Sequence, residues 1–315
     1  MPIKIPHALP GRSILEQEHI SFILEDRALR QDIRPLQVAI LNLMPDKITT
    51  ETQLLRALGH TPLQIEVTLL HASSHTSKNT SADHLEAFYK SWDEVKDRKF
   101  DALIVTGAPV AHLPYEDVTY WTELTNILDW AKTHVYSSFF LCWAAFASLY
   151  YYDGIQKNRM PQKLSGIYPH KVVKPFVPLV AGFDDFLDVP VSRYSEIREE
   201  DILAHQSLDI LVKSDLSGVF IVEDKDNNRV YILNHLEYDV DTLQKEYQRD
   251  VAAGTNPNVP YNYFPDNDPS REPAITWRAH RTLLFSNWIN MVYQGTPYDL
   301  NEIGKIDLLK TGKVA

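Results

Sequence analysis

Residues 136–151 have the sequence YSSFFLCWAAFASLYY, in which a short apolar run gives way to a helical pattern at Cys142. The run Tyr136–Leu141 predicts a buried strand of a parallel sheet, because such strands are apolar on both faces. Cys142 would then stand at the carboxyl end of the sheet, directly before a helix. This is the arrangement of a nucleophile elbow, although Phe140 is larger than the residue such turns usually carry there.

The same alternation of strand and helix fills the first half of the chain. Apolar runs bounded by turn residues predict further strands at about Leu36–Leu43, Leu63–Leu70 and Ala102–Thr106. Helical patterns are found at about Lys47–Leu58, Asp83–Arg98 and Val118–Thr133. Strands that alternate with helices form βαβ units. The expected fold class is therefore α/β, with a doubly wound, mostly parallel sheet and peripheral additions.

The second half of the chain contains closely spaced strand patterns. Strands are predicted at Ile210–Lys213, Val219–Glu223 and Val230–Leu233, and we expect them to form a hairpin at the sheet edge. Asp241–Ala253 predicts a helix that begins at an Asp cap and ends at Gly254. A long loop, Thr255–Pro273, and a helix at about Ile275–Tyr293 follow.

The whole chain is expected to be one domain. We expect residues 1–315 to form a single domain, with about 1–35 as an N-terminal extension and about 255–315 as a loop and helix packed on the core. The 44% hydrophobic and 23% charged residues are typical of a folded globular protein.

Charge and cysteine content narrow the possible partners. A net charge of -11 argues against binding to nucleic acid or to an anionic membrane, so an anionic substrate would need a local basic pocket. The single cysteine excludes an intrachain disulfide framework and indicates a reducing compartment. The start of the chain has no apolar segment typical of a signal peptide, and we expect a cytoplasmic protein with small-molecule substrates.

Cys142 is the candidate nucleophile. A free cysteine after an apolar strand is often a core residue, and that interpretation stays open on local sequence alone. Two physical effects favour a reactive thiolate: the following helix N-terminus stabilises negative charge, and the backbone N–H of Trp143 is available to a developing oxyanion. The loop TGAPVA after the strand ending at Thr106 offers a second oxyanion donor from Gly107 or Ala108. The alternative for this loop is an ordinary βα turn.

A base and its orienting group follow in VYILNHLEYD, residues 230–239. His235 and Glu237 are two residues apart, and in an extended chain their side chains would share one face at a spacing of roughly 7 Å. Glu237 would then hold the imidazole in the tautomer that takes a proton from Cys142. The alternative is a surface His–Glu pair. His71 and His75 have the i, i+4 spacing of metal ligands, but their setting predicts a loop, and we expect no metal.

Long motifs across the chain resemble the homoserine O-acyltransferase family, the homoserine transsuccinylases and transacetylases of bacterial methionine synthesis. The similarity includes IRPLQVAILNLMPDKITTETQ, FDALIVTGAPV, WAKTHVYSSFFLCW and HLEYDVDTLQKEYQRD. The resemblance implies a class I glutamine amidotransferase-like, flavodoxin-like fold and a homodimer. It also implies ping-pong chemistry without a bound cofactor, in which acyl-CoA, either acetyl-CoA or succinyl-CoA, loads Cys142 as a thioester.

The resemblance also assigns residues to the substrates. Lys163, Ser192 and Arg249 fall at acceptor-binding positions, and the planar fork of Arg249 suits an amino-acid carboxylate. Alternatively, Lys163 is a surface cation and Arg249 forms a solvated ion pair with Glu246. Ala111 falls where the family carries Glu for acetyl and Gly for succinyl transfer. An acetyl donor is favoured, because no additional cation near this loop is available to pair with the carboxylate of a succinyl group. His112, in the same loop, argues for the succinyl donor instead.

The elbow departs from the family pattern. The family commonly has CWGAQAGLYY, whereas this chain has CWAAFASLYY, with Ala144, Phe146 and Ser148 in place of Gly, Gln and Gly. We expect an O-acyltransferase acting on the side-chain hydroxyl of L-homoserine in methionine biosynthesis. Phe146 keeps open L-serine as the acceptor, in cysteine biosynthesis. Two other classes also stay open, a glutamine amidotransferase-type hydrolase and a non-catalytic binding protein.

Overall fold

A twelve-stranded mixed sheet forms the centre of the described part of the chain. The computed structural model describes residues 3–17, 22–25, 34–74 and 80–305. The strands are β1 Ile3–Ile5, β2 Phe22–Leu24, β3 Leu36–Leu41, β4 Ile65–Leu70, β5 Tyr89–Lys90, β6 Phe100–Val105, β7 Val135–Leu141, β8 Asn158–Val172, β9 Phe186–Glu196, β10 Leu208–Ser214, β11 Gly218–Asp224 and β12 Arg229–Ile232. They run in the order β2-β1-β4-β3-β6-β7-β12-β11-β10-β8-β9, with β5 beside β4.

Helices cover both faces of this sheet. They are α1 Arg12–Gln17, α2 Lys47–Leu58, α3 Ala82–Phe88, α4 Trp121–His134, α5 Trp143–Asp153, α6 Glu199–Leu203, α7 Thr242–Ala252 and α8 Arg278–Gly295. Apolar residues of α2 and α8 form the core on one face, and those of α4 and α5 form the core on the other. The sheet is parallel from β2 through β12 and antiparallel from β12 to β9. The predicted α/β class is confirmed.

The predicted hairpin is not at the sheet edge. β12 pairs in parallel with β7 and antiparallel with β11, so the hairpin lies inside the sheet. The edge is formed by β8 and β9, which the sequence did not predict as strands. Both contain proline, at Pro161, Pro169 and Pro190, which argues against a central strand but is tolerated near an edge.

Two predicted helices differ from the structure. The helix expected over Asp83–Arg98 ends at Phe88, because Tyr89–Lys90 leaves it to pair with β4 as β5. Asp241 precedes α7, but its side chain makes no cap hydrogen bond and instead forms an ion pair with Lys245 at 2.6 Å.

Candidate active site

Cys142 occupies a strained turn between β7 and α5. Its backbone has φ 45° and ψ -116°, a region that side chains other than glycine rarely adopt and that is typical of functional sites. Its amide donates to the carbonyl of Ile232 at 2.7 Å, which fixes the turn to the end of β12. The thiol therefore stands at the carboxyl end of the parallel strands, where the sequence predicted it.

His235 and Glu237 complete a triad with Cys142. The His235 Nδ1 lies 2.6 Å from Glu237 Oε1, and the charge of Cys142 acts on the same ring. Both His235 and Glu237 are 5% exposed, so the pair is no surface ion pair. The predicted extended geometry is wrong, because β12 ends at Ile232 and residues 236–237 form a turn that brings the two side chains into contact.

His235 is fixed by contacts of both its backbone and its ring. The amide of His235 donates to the carbonyl of Pro190 in β9 at 2.9 Å, and its ring stacks on Tyr238 with centroids 4.1 Å apart. Burial alone would lower the pKa of His235, but the negative charges of Cys142 and Glu237 and their hydrogen bonds raise it well above its ordinary value. The site thus favours the protonated, imidazolium form of His235.

The loop after β6 lies against the nucleophile. A Cβ placed on Gly107 would be 3.3 Å from the Cβ of Cys142 and 3.8 Å from the amide nitrogen of Trp143. Trp143 is the first residue of α5, where amide groups have no partner within the helix. The main chain of this loop and the start of α5 therefore both lie close to the Cys142 side chain.

A cavity of about 520 Å³ opens above Cys142. Its walls come from the loops after β3, β6 and β7, from the β8–β9 hairpin, and from α7. It collects every predicted site residue except Glu237, which lies behind His235. These lining residues are Gly107, Ala108, Ala111, Cys142, Trp143, Lys163, Ser192, His235 and Arg249.

The predicted acceptor residues meet around Glu246, which the sequence analysis did not select. The Glu246 carboxylate accepts hydrogen bonds from Lys163 at 2.9 Å, from Ser192, and from the Tyr238 hydroxyl at 3.0 Å. Asp250 also pairs with Lys163, at 3.0 Å. Burial would lower the pKa of Lys163, but these two carboxylates raise it. Lys163 is therefore a buried ion-pair partner and not a surface cation.

Arg249 lies at the exposed side of this cluster. Its guanidinium donates to Asp250 at 2.8 Å, and the predicted alternative of a pair with Glu246 does not form. The side chain is 66% exposed and lines the cavity, which leaves part of its fork accessible to a ligand.

Three further cations, Lys157, Arg159 and Arg193, line the cavity and were missed. Arg193 is 5% exposed and is held by neutral acceptors, the side chain of Asn234 at 3.0 Å and the carbonyls of Ser195 and Ser217. Burial lowers its pKa, and the charge of Cys142 opposes that shift. Arg193 lies in β9, which was not predicted as a strand, so no sequence signal placed it near Cys142.

Lys157 corrects the prediction made for the donor loop. Its amine donates to the carbonyls of Ala111 at 3.1 Å and Leu113 at 2.7 Å, and it lies 4.2 Å from the ring centroid of Tyr115. A cation therefore does stand beside Ala111, and the predicted absence of one is wrong. Its bonds to two carbonyls hold this loop against the start of β8.

Neither a metal centre nor a membrane span is evident in the part of the chain that the structure describes. No group of three or more His, Cys, Asp or Glu side chains there has the arrangement of a metal site. His71 is included in that search, whereas His75 lies outside the described residues. Within the same residues, no helix combines the length and apolar character needed to cross a membrane.

Known proteins are similar to this chain over nearly its full length. The sequence profile described as "Homoserine O-succinyltransferase" matches residues 2–298. The chain belongs to the homoserine O-succinyltransferase family. It is 56% identical over 302 residues to a protein of Brevibacillus brevis named homoserine O-acetyltransferase, across 96% of this chain and 99% of that protein. Proteins of the same name from Acetivibrio thermocellus and Thermotoga neapolitana are 53% identical over 304 residues, across 96% of this chain and 100% of each relative.

Membership of this family makes the protein an acyltransferase, as the motifs predicted. The names of its relatives differ in the acyl group, since the family description names succinyl and these three relatives name acetyl.

Solved structures support the predicted fold. A glutamine amidotransferase from Thermotoga maritima superimposes with a TM-score of 0.54 at 11% identity, over 82% of this chain and 99% of that one. A putative GMP synthase subunit from Thermoplasma acidophilum gives a TM-score of 0.51 at 12% identity, over 83% of this chain and 96% of that one. At these identities the likeness concerns the fold alone, and it confirms the glutamine amidotransferase-like architecture.

Proposed function

We propose that this enzyme transfers an acetyl group from acetyl-CoA to the side-chain hydroxyl of L-homoserine through a thioester on Cys142, in methionine biosynthesis. The observation that carries the proposal is the single imidazole of His235, which lines a ligand-sized cavity together with Cys142 and lies 2.6 Å from Glu237 on its other side. An acyltransferase needs a site for the acceptor beside the loaded cysteine, and the charged cluster around Glu246 is suited to that role.

The first half-reaction loads the cysteine. The Cys142 thiolate attacks the carbonyl carbon of the acyl-CoA thioester, and the carbonyl oxygen becomes an oxyanion that the backbone donors of Trp143 and of Gly107 or Ala108 stabilise. When the intermediate collapses, the carbon–sulfur bond to CoA breaks. The imidazolium of His235 protonates the departing CoA thiolate and is left as a neutral base.

The second half-reaction unloads it. Neutral His235 takes the proton of the acceptor hydroxyl as the oxygen attacks the acyl carbon of the thioester. Collapse of this second oxyanion breaks the bond to Cys142, which leaves as a thiolate beside the regenerated imidazolium. Glu237 keeps the ring oriented and offsets its charge in both steps.

The acceptor is an amino acid, and the charged cluster suits both of its ends. The exposed fork of Arg249 would take the α-carboxylate, and the Glu246 carboxylate would take the α-ammonium group. Burial raises the pKa of Glu246, but the charge of Lys163 and the hydrogen bond from Ser192 lower it overall, so the carboxylate stays ionised at neutral pH. Lys163 and Ser192 thus position Glu246 as well as lining the acceptor side.

L-serine is the second candidate acceptor because of Phe146. This side chain lines the cavity next to Cys142 and is itself 3% exposed, so a bulky apolar group occupies space at the floor of the site. L-serine is one methylene shorter than L-homoserine, and a shallower floor favours the shorter substrate.

A matrix of two donors and two acceptors tests the proposal. Purified enzyme is incubated with acetyl-CoA or succinyl-CoA, together with L-homoserine or L-serine, and release of the CoA thiol is followed. The proposal expects the highest kcat/KM with acetyl-CoA and L-homoserine, and none in a Cys142→Ala control. A higher kcat/KM with L-serine would overturn the acceptor assignment, and Phe146→Gln should then restore L-homoserine. Preference for succinyl-CoA would overturn the donor assignment.

A further inference from the structure

A CoA donor carries its negative charge on phosphate groups at the end far from the thioester. This protein has a net charge of -11, so most of its surface repels such a molecule. The active-site cavity is the exception, because five of its lining residues are lysine or arginine and only one is acidic. The basic residues are Lys157, Arg159, Lys163, Arg193 and Arg249, and the acidic one is Glu246.

Four of these five cations are already engaged. Lys163 is paired with two carboxylates, and Arg249 is paired with Asp250. Arg193 is buried and bonded to carbonyls, and Lys157 is bonded to the carbonyls of the Ala111 loop. Each of them has a task within the folded protein.

Arg159 differs from the other four. Its side chain is exposed, and within the described residues it makes no side-chain hydrogen bond or ion pair. A guanidinium that lines a cavity without a partner is available to an anionic ligand. Arginine is also the side chain whose planar fork best matches the oxygens of a phosphate group.

The position of Arg159 in β8 places it on the donor side. It lies opposite Ser195 of β9, two residues after Lys157, which holds the Ala111 loop. The β8–β9 register then shifts between Arg159 and Leu164, and Lys163 of the acceptor cluster is the last residue of this irregular stretch. Residues 160–162 thus lie between Arg159 and Lys163, although both belong to one strand.

We propose that Arg159 binds the phosphate groups of the CoA donor at the rim of the cavity. The assignment rests on the proposed acyl-CoA-dependent function and adds a subsite to it. The thioester end reaches Cys142 through the cavity, while the nucleotide end stays outside, where the exposed guanidinium meets it.

The test compares two donors that share the thioester arm and differ in whether they carry the phosphate-bearing nucleotide. Arg159→Gln is assayed with acetyl-CoA and with acetylpantetheine, which has the same thioester arm but neither phosphate nor nucleotide. We expect the KM for acetyl-CoA to rise about five- to tenfold, the range for loss of a partly exposed charge-assisted contact. The kcat and the KM for acetylpantetheine should stay at the values of the unaltered enzyme. Arg159→Lys, which keeps the charge, should recover part of the acetyl-CoA affinity.

Arg278→Gln is the matched control, since it removes the same charge from an exposed arginine outside the cavity lining. Its KM for acetyl-CoA should not change. An equal rise in KM for both donors in Arg159→Gln would mean that the residue shapes the cavity, and an unchanged KM for both would mean that the phosphates bind elsewhere. Either result overturns this assignment and leaves the acyltransferase intact. If the unaltered protein acetylates an acceptor from neither donor, the proposed function fails and the phosphate subsite fails with it.

Discussion

Two histidine–glutamate pairs are buried among the described residues, and they differ in what lies beside them. In one pair His235 Nδ1 lies 2.6 Å from Glu237, and in the other His84 Nε2 lies 3.2 Å from Glu51. Both glutamates have a second oxygen that is buried without a hydrogen-bond partner. Only in the first pair does the histidine line the cavity that also contains Cys142.

The surroundings of the two pairs favour opposite charge states. Around Cys142 the partner charges outweigh burial and raise the pKa of His235, which favours the charged ring. Around His84 burial outweighs the partners. It raises the pKa of Glu51 despite hydrogen bonds from Tyr89 and His84, and it lowers the pKa of Lys47 to about 8. The first environment thus favours the charged form of His235, whereas the second favours the neutral forms of Glu51 and Lys47.

The second pair belongs to the support of the cavity wall. The Lys47 amine donates to the carbonyls of Asn42 at 2.6 Å and Met44 at 3.3 Å, and the Tyr89 hydroxyl donates to Glu51 at 2.9 Å. Met44 lines the cavity. A buried His–Glu pair is therefore not sufficient to make a general base. A neighbouring thiol and an adjacent cavity are needed as well.

The largest effect is expected from exchanging each histidine for asparagine. His235→Asn should lower kcat by about 10²- to 10⁴-fold, the usual contribution of a positioned general acid–base. His84→Asn should keep kcat within about threefold of normal but lower the free energy of unfolding by about 1–3 kcal/mol, because Glu51 loses a buried hydrogen bond. Steady-state kinetics and urea unfolding of both variants check this. Comparable losses of kcat in the two variants would contradict the distinction between a catalytic and a structural His–Glu pair.

A methyl group on Gly107 should disturb only the catalytic pair. Gly107→Ala would place its Cβ only 3.3 Å from the Cβ of Cys142, and we expect the resulting displacement of Cys142 to lower kcat about 30- to 100-fold, somewhat less than complete loss of an oxyanion donor. Gly254→Ala is the control, because its new Cβ meets open space and strains only a positive φ of 72°. The control should lose about 1 kcal/mol of stability with kcat unchanged. A normal kcat in Gly107→Ala would show that this loop is not part of the oxyanion site.

At alkaline pH the free energy of unfolding should depend on Lys47, which lies beside Glu51 of the second pair. Because its pKa is lowered from 10.5 to about 8, the unfolded chain binds a proton between these values that the folded protein does not. The free energy of unfolding should therefore rise with pH across that window, by about 2 kcal/mol from this group. Urea unfolding at pH 8 and pH 10 measures it. Lys47→Met should lack this rise, and identical pH dependence in the two proteins would contradict the lowered pKa.

The sequence predicted β3, β4, β6, β7 and β12 of the parallel half of the sheet because their apolar patterns are local, whereas the short strands β1, β2 and β5 were not predicted. The apolar strand before Cys142 and the helix after it both follow from periodicity, and so does the elbow between them. The antiparallel edge was missed because β8 and β9 contain prolines and polar residues, which are stable there only through pairing with each other. Arg193 and Arg159 lie on these strands, so no local pattern linked them to the nucleophile.

The contact between His235 and Glu237 was predicted, but for the wrong geometry. Spacing of two residues suggested an extended chain, whereas a turn brings the groups together. Glu246 was missed for a related reason. Its partners Lys163, Ser192 and Tyr238 come from a strand, another strand and a loop, and only the folded chain brings them to one carboxylate.

The most direct test is the mass of the intact protein after incubation with acetyl-CoA in the absence of an acceptor. We expect one added acetyl group, located on Cys142 by peptide mapping, absent in Cys142→Ala, and discharged when L-homoserine is added. His235→Asn should accumulate the adduct slowly, whereas His84→Asn should form it at the normal rate. An unmodified Cys142 in a preparation that still acetylates L-homoserine would contradict the thioester mechanism.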